Sequence, residues 1–334
     1  RSLVGSEMCI RDRIRGADMA EIVIMGELLV EIMRAEEDVQ LFETGKYFRG
    51  PFPSGAPGIF ISTAARLGHS AAIISGVGND DFGKNILDRL KSVGVDCSRV
   101  LISDEASTGA AFVTYFKNGD RKFIFHINHT PAVAAKAPEN TDDFNDTKYF
   151  HVMGCSLMAS VEFGKEVVKT MHLLKEKGAK VSFDPNVRLE MLKDPEAMEI
   201  VKQVYKESNI FMPGVSELKM ITGEDDLEKA IRKVFEDNKN MELLVLKNGS
   251  KGSEIYGPEG LIDKVGVYPV TQVDATGAGD SYDAAFICGL AEGKSIIDAA
   301  RMGAAAGALN AAAFGPMEGN ISQQTIQSMI DANA

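Results

Sequence analysis

Apolar residues fall along the chain in two alternating textures. Short continuous runs of branched and aromatic residues at 21–25, 71–75, 149–153, 181–184, 210–212 and 243–247 read as buried strands. Between them the apolar spacing widens to three and four residues. That spacing predicts helices over 59–67, 82–93, 162–177, 196–207, 216–222 and 227–237, the second stopped by Gly94. Beyond 247 it predicts helices over 280–291, 295–313 and 323–330. Strand–helix units with short connections imply a three-layer α/β fold, a doubly wound and mostly parallel sheet flanked by helices. Ligands bind such sheets at the carboxyl ends of the strands. Asp184, Lys247 and the stretch 276–280 fall at or near such ends.

One region breaks the alternation. Residues 109–116 and 122–127 are rich in β-formers and flank Asn118-Gly119, a strong hairpin turn. Residues 28–52 lead into a turn-rich stretch. Together, segments of about 28–52 and 106–130 are expected to pair into a small β lid above the strand ends. Alternation puts His126 and Asn128 on one face of the lid, which we expect to point at the ligand. Arg121 sits in the turn and is expected in solvent.

Charge and composition narrow the chemistry. The 334 residues carry a net charge of -12, which argues against nucleic acid as the main ligand. No apolar run approaches the roughly 20 residues of a membrane span. Cys9, Cys97, Cys155 and Cys288 form no C-x-x-C pair, and the five histidines show no metal-ligand spacing. Reduced thiols fit a cytoplasmic protein. The fifteen methionines read as core filling. Residues 1–18, with four arginines and no sustained apolar stretch, are expected to be a non-native leader, such as a translated sequencing adapter. The fold is then a single domain over 19–334.

The most informative stretch is Thr276-Gly-Ala-Gly-Asp280, directly before a helix. Small residues let successive N–H groups converge, and the positive end of the helix faces the same point. That makes an anion hole suited to a transferring phosphoryl group. Asp280 at its rim can accept the proton of an attacking hydroxyl. A tight turn capped by a carboxylate is the bland alternative.

Asp274 to Phe286 resembles the C-terminal motif of the ribokinase-like, PfkB-type carbohydrate kinases. Ser54-Gly-Ala-Pro57, Gly76-Val-Gly-Asn-Asp-Asp-Phe-Gly83, Asp184-Pro-Asn-Val-Arg188 and Lys247-Asn-Gly-Ser-Lys-Gly252 resemble further family motifs in order. The resemblance implies a ribokinase-like fold and ATP-dependent phosphorylation of a sugar hydroxyl. In it, Asp280 is the base and Gly277, Ala278 and Gly279 form the anion hole. Glu31, Ser54, Gly55 and Ala56 would hold the sugar, with His126, Asn128 and Arg188. Asn186, Lys247, Gly249, Gly252, Gly307 and Asn310 would border ATP. Glu217 would meet Mg²⁺ through water; a monovalent cation and a homodimer through the lid stay open. Glu27 and Asp81 are expected to be structural or to support the residues that touch the ligand.

Three departures from the family pattern stand out. Ile59 and Gly214 replace usual asparagines, and Ala275 replaces a frequent threonine. The absence of a lid arginine at Phe125-His126 argues against 2-keto-3-deoxygluconate, because an unpaired carboxylate is costly to desolvate. A neutral ketohexose such as tagatose or fructose is expected. A 2-keto-3-deoxygluconate kinase and a non-catalytic sugar- or nucleotide-binding regulator are the alternatives.

Overall fold

The structure is a computed structural model that describes residues 20–118, 120–192 and 194–333. The expected leader and its boundary at 19, and Gly119 of the hairpin turn, lie outside the described residues. Thirteen strands and ten α-helices are formed among the described residues.

β1 (Ile22–Met25) is an interior strand of the main sheet, apolar on both faces. It pairs in parallel with β4 (Ala71–Gly78) on one side and β8 (Tyr149–Met153) on the other. β5 (Val100–Ser103) extends the sheet beyond β4. On the other side follow β9 (Lys180–Asp184), β10 (Ile210–Phe211) and β11 (Leu243–Lys247), all parallel. An antiparallel hairpin, β12 (Ser253–Gly257) and β13 (Gly260–Val265), closes the far edge. The sequence pattern did not predict that hairpin, because the charged residues between its apolar positions dilute the strand signal.

Alternation along β1 splits the interior into two cores. Ile22 and Ile24 join one cluster, Val23 and Met25 the other. The first core is covered by α1 (Ala56–Arg66), α2 (Asp81–Ser92), α8 (Ala278–Ala291), α9 (Ile296–Ala311) and α10 (Gln323–Asp331). The second is covered by α3 (Gly154–Ala159), α4 (Val161–Glu176), α5 (Pro195–Glu207), α6 (Val215–Thr222) and α7 (Leu227–Asp237). Both faces are therefore sealed, as the doubly wound reading requires. No described helix is long and apolar enough to cross a membrane.

The lid is a separate four-stranded sheet in the order β3 (Phe48–Ser54), β2 (Leu29–Arg34), β6 (Gly109–Tyr115), β7 (Arg121–His126). β2 and β6 run parallel, and the outer pairs are antiparallel. Register puts Glu31, Ala111 and Phe125 in one row across the sheet. That row faces the ends of the main-sheet strands, where the three residues line one cleft.

Candidate active site

The cleft lies between the lid and the carboxyl ends of the main sheet. Glu31, Ser54, Gly55, Ala56, Arg188, Gly277 and Asp280 all line it. Ser54 Oγ donates to Glu31 Oε2 at 2.8 Å, across the β2–β3 pair. Burial pushes the Glu31 carboxyl up to about 7, and the Asp274 charge adds to the shift. Gly55 is required where it stands: its φ is +96°, and a Cβ would lie 2.5 Å from the Glu27 carbonyl oxygen.

The anion-hole loop is fixed by its neighbours. Gly277 caps α8 in the left-handed region with φ 77°, and a Cβ there would meet the Pro316 carbonyl oxygen at 2.5 Å. Asn310 Nδ2 donates to Thr276 O at 2.7 Å, and Asp274 accepts from Thr276 N and Gly315 N at 2.9 and 3.0 Å. The Ala278 N–H is engaged in the turn with Ala275 O at 3.3 Å. The N–H groups of Gly277, Gly279 and Asp280 have no partner among the described residues. The free donors are thus Gly277, Gly279 and Asp280, with Asp280 taking the place expected for Ala278.

Asp280 itself is buried in the first turn of α8. Its Oδ1 accepts from Asn186 Nδ2 at 3.0 Å. Burial, with the nearby Asp184 charge, raises its carboxyl to about 7 against the opposing charges of Arg188, Lys247 and Arg121. A carboxylate in this range is poised to take a proton near neutral pH. Asn186, expected beside the nucleotide, instead lines the cleft next to the base and holds it. Its backbone, at φ 38°, is shaped by the bond from its N–H to Asp184 Oδ1.

Several expectations change on the far side of Asp280. Lys247 was expected at the ATP phosphates, yet its Nζ is bound to Asp184 Oδ2 at 2.9 Å and to both oxygens of Asp283 at 3.0 and 2.8 Å. Burial and the neighbouring charge keep the Asp283 carboxyl well above the usual range, and the ammonium holds Asp184 below it. The triad ties β9, β11 and α8 together. Glu217 is also committed: its oxygens accept from Val187 N and Gly214 N, each at 2.7 Å. It braces the loop after β9 against α6 and satisfies the helix end where Gly214 offers no side chain. Asn310 holds the anion-hole loop through Thr276 O. Gly307 lets α9 approach α8, since a Cβ would lie 3.0 Å from Ala278 O. Gly249 and Gly252 shape the turn after β11, and Gly252 is forced by the Val265 carbonyl oxygen, 2.1 Å from a Cβ.

The lid reading is off by one residue. Arg121, Phe123, Phe125 and Ile127 line the cleft, whereas His126 and Asn128 are exposed on other surfaces. His126 packs its edge on Phe112 on the outer face. Phe123 and Phe125, half-buried, take the inward face. Arg121 is accordingly not only in solvent: its guanidinium and that of Arg188 lie 6.0 and 5.9 Å from the Phe123 ring centroid. Neither forms an ion pair among the described residues. Ile59, where an asparagine was expected, lines the cleft floor. Glu27 was expected to be structural or to support the ligand-touching residues. It lines the cleft as well, and accepts from Ser156 Oγ and from Cys155 Sγ at 3.1 Å.

Comparison with known proteins bears on the family and the fold. The family model described as "pfkB family carbohydrate kinase" matches residues 19–323. "Probable fructokinase-5" of Arabidopsis thaliana is 32% identical over 285 residues, covering 83% of this chain and 85% of that protein. An E. coli protein described as a ribokinase II, solved with ATP and Mg²⁺, is 36% identical with a TM-score of 0.86, covering 94% of this chain and 99% of the other. A Vibrio cholerae fructokinase double mutant, solved with fructose, ADP and potassium, shares the fold at 22% identity and a TM-score of 0.79, covering 94% and 99% of the two chains. The chain belongs to the pfkB family of carbohydrate kinases.

Proposed function

We propose that this sugar kinase transfers the terminal phosphoryl group of ATP to a hydroxyl of a neutral ketohexose, with fructose ahead of tagatose. The observation that carries the reading is the junction at α8. A buried carboxylate faces the sugar cleft, and three unpartnered N–H groups stand in the same turn. Asp280 takes the hydroxyl proton as the oxygen attacks, while the N–H groups of Gly277, Gly279 and Asp280 stabilise charge on the transferring group. Glu31 and Ser54 accept and donate to the other hydroxyls. Arg188 stands beside the base, where a guanidinium suits the transferred phosphate. The fructokinase names among the relatives place fructose ahead of tagatose.

Among the described residues no group of three His, Cys, Asp or Glu could hold a metal. An ion carried on the nucleotide phosphates with its own water fits this better than a resident site. When bound, Mg²⁺ neutralises phosphate charge. The orphaned Asn186 Oδ1, beside Asp280, is an acceptor open to its water shell. The exposed Phe42, Tyr47 and Ile124 favour a homodimer through the lid. Free thiols at Cys97, Cys155 and Cys288 favour the cytoplasm.

Arg121 supports a second reading. A guanidinium at the mouth of the cleft would pair with the carboxylate of a 2-keto-3-deoxy acid, so the argument from a missing lid arginine no longer excludes that class. A screen of ATP consumption over ketohexoses, pentoses and 2-keto-3-deoxy acids decides between them. Turnover fastest with fructose supports the first reading; turnover only with the acids supports the second. No turnover with any sugar that the protein binds would leave the regulator.

A further inference from the structure

The register of the lid hairpin places Tyr115 directly opposite Arg121, as the last pair of β6 and β7. Both belong to the row of positions that faces the cleft, with Ala111, Phe123 and Phe125. Arg121 reaches the cleft. The Tyr115 hydroxyl goes further and hydrogen-bonds Thr276 Oγ1, 161 residues away in the anion-hole loop. Among the described residues this is the one side-chain hydrogen bond between the lid sheet and residues 275–280.

Thr276 is buried and held from three directions. Its N–H is bound to Asp274 Oδ1 and its carbonyl to Asn310 Nδ2, both contacts within the main body. Its hydroxyl is the remaining polar group, and the lid takes it. Burial, with the Glu31 and Asp274 charges, drives the Tyr115 phenol far above its usual range, so it stays a neutral hydrogen-bonding group. Loss of either hydroxyl leaves its partner's hydroxyl buried without a bond.

We infer that Tyr115 is a positioning residue, a latch that joins the lid hairpin to the anion-hole loop so that the first turn of α8 and Arg121 reach their working places together. Arg121 then acts through a lid that is latched. The loop before α8, held from the main body by Asp274 and Asn310, takes its remaining side-chain restraint from the lid. The inference rests on the phosphoryl-transfer reading of Asp280, and its test carries an arm that does not.

The kinetic arm compares Tyr115→Phe, Thr276→Val and the double variant on ATP and the preferred sugar. Each single variant should lower kcat by about three- to tenfold with KM for ATP within about twofold. The double variant should be no worse than either single one, because both remove one bond. Thr276→Ser keeps the hydroxyl and should restore the wild-type rate. Arg121→Gln should add little on top of Tyr115→Phe. The second arm is hydrogen exchange over 274–280, read without turnover. Tyr115→Phe should speed exchange there, whereas Asp280→Asn should not. Additive kinetic losses, or wild-type exchange in both Tyr115→Phe and Thr276→Val, would overturn the latch. A normal exchange result for Asp280→Asn combined with undiminished turnover would instead overturn the base.

Discussion

On the cleft side of Asp280 polar capacity is left open, whereas on the β11 side it is consumed within the chain. Asn186 Oδ1 is buried without a partner, and Arg121 and Arg188 have no ion pair among the described residues. Lys247, by contrast, is spent on Asp184 and Asp283, and Glu217 on two backbone N–H groups. A sugar needs side chains that still have bonds to give. A triphosphate can be met by backbone donors on a rigid turn, provided something stiffens the turn. The buried triad on β9, β11 and α8 supplies that stiffness. Charged residues on the two sides thus carry the same motif-like look in sequence and opposite duties in the fold.

The contrast is broken most forcefully at Asp280. Asp280→Asn should cut kcat by a factor on the order of 10²–10⁴ while ATP still binds, measured by turnover and by nucleotide titration. Unchanged turnover would remove the base from the cleft side. Lys247→Met probes the other side. Breaking a buried charge set by removing one partner costs about 3–5 kcal/mol, so its denaturation midpoint should fall sharply. If Lys247 instead worked as a free phosphate ligand, stability would hold and only KM for ATP would rise.

A smaller effect is read from pH. With the Asp280 carboxyl at about 7, kcat/KM should decline as pH falls through that value, because the protonated acid cannot act as base. The same shift has a stability consequence. The folded value lies above the unfolded one of about 3.9, so the folded chain binds the proton more tightly. That contribution is present below the unfolded value and is lost as pH rises through about 7. Asp280→Asn should therefore have a higher Tm than the parent at about pH 8, and the gain should vanish by about pH 4. An equal gain at both would show that the carboxyl is not strained by burial. The smallest effect is expected at His126→Gln, where turnover should stay within about twofold because the ring sits on the outer face of the lid. A large loss there would return β7 to the register first read from sequence.

Most of the fold was legible because the strands of a sealed parallel sheet are continuous apolar runs. β11 was placed at 243–247 for that reason, and α7 at 227–237 from its strong two-faced spacing. The hairpin β12–β13 was not, since an edge strand with Glu254, Asp263 and Lys264 carries a weak period. At the site, the local motif was legible: Gly277 is demanded by its own backbone angle, whatever surrounds it. What a charged side chain does was not. Lys247 and Asp283 meet across 36 residues and Lys247 and Asp184 across 63, distances at which no spacing rule operates. The lid failed for another reason. A period of two cannot say which face looks inward, and the polar residues were assigned there ahead of the phenylalanines.

The two cores also set an order of events during synthesis. One face of the sheet is covered by α3 to α7, which follow it closely along the chain. The other face, with Ile22 and Ile24, is completed by α8 to α10, made last. A chain still emerging from the ribosome therefore carries a sheet with one face covered only by α1 and α2 until residues 278–331 arrive. That interval is when association with chaperones or with other nascent chains competes with folding.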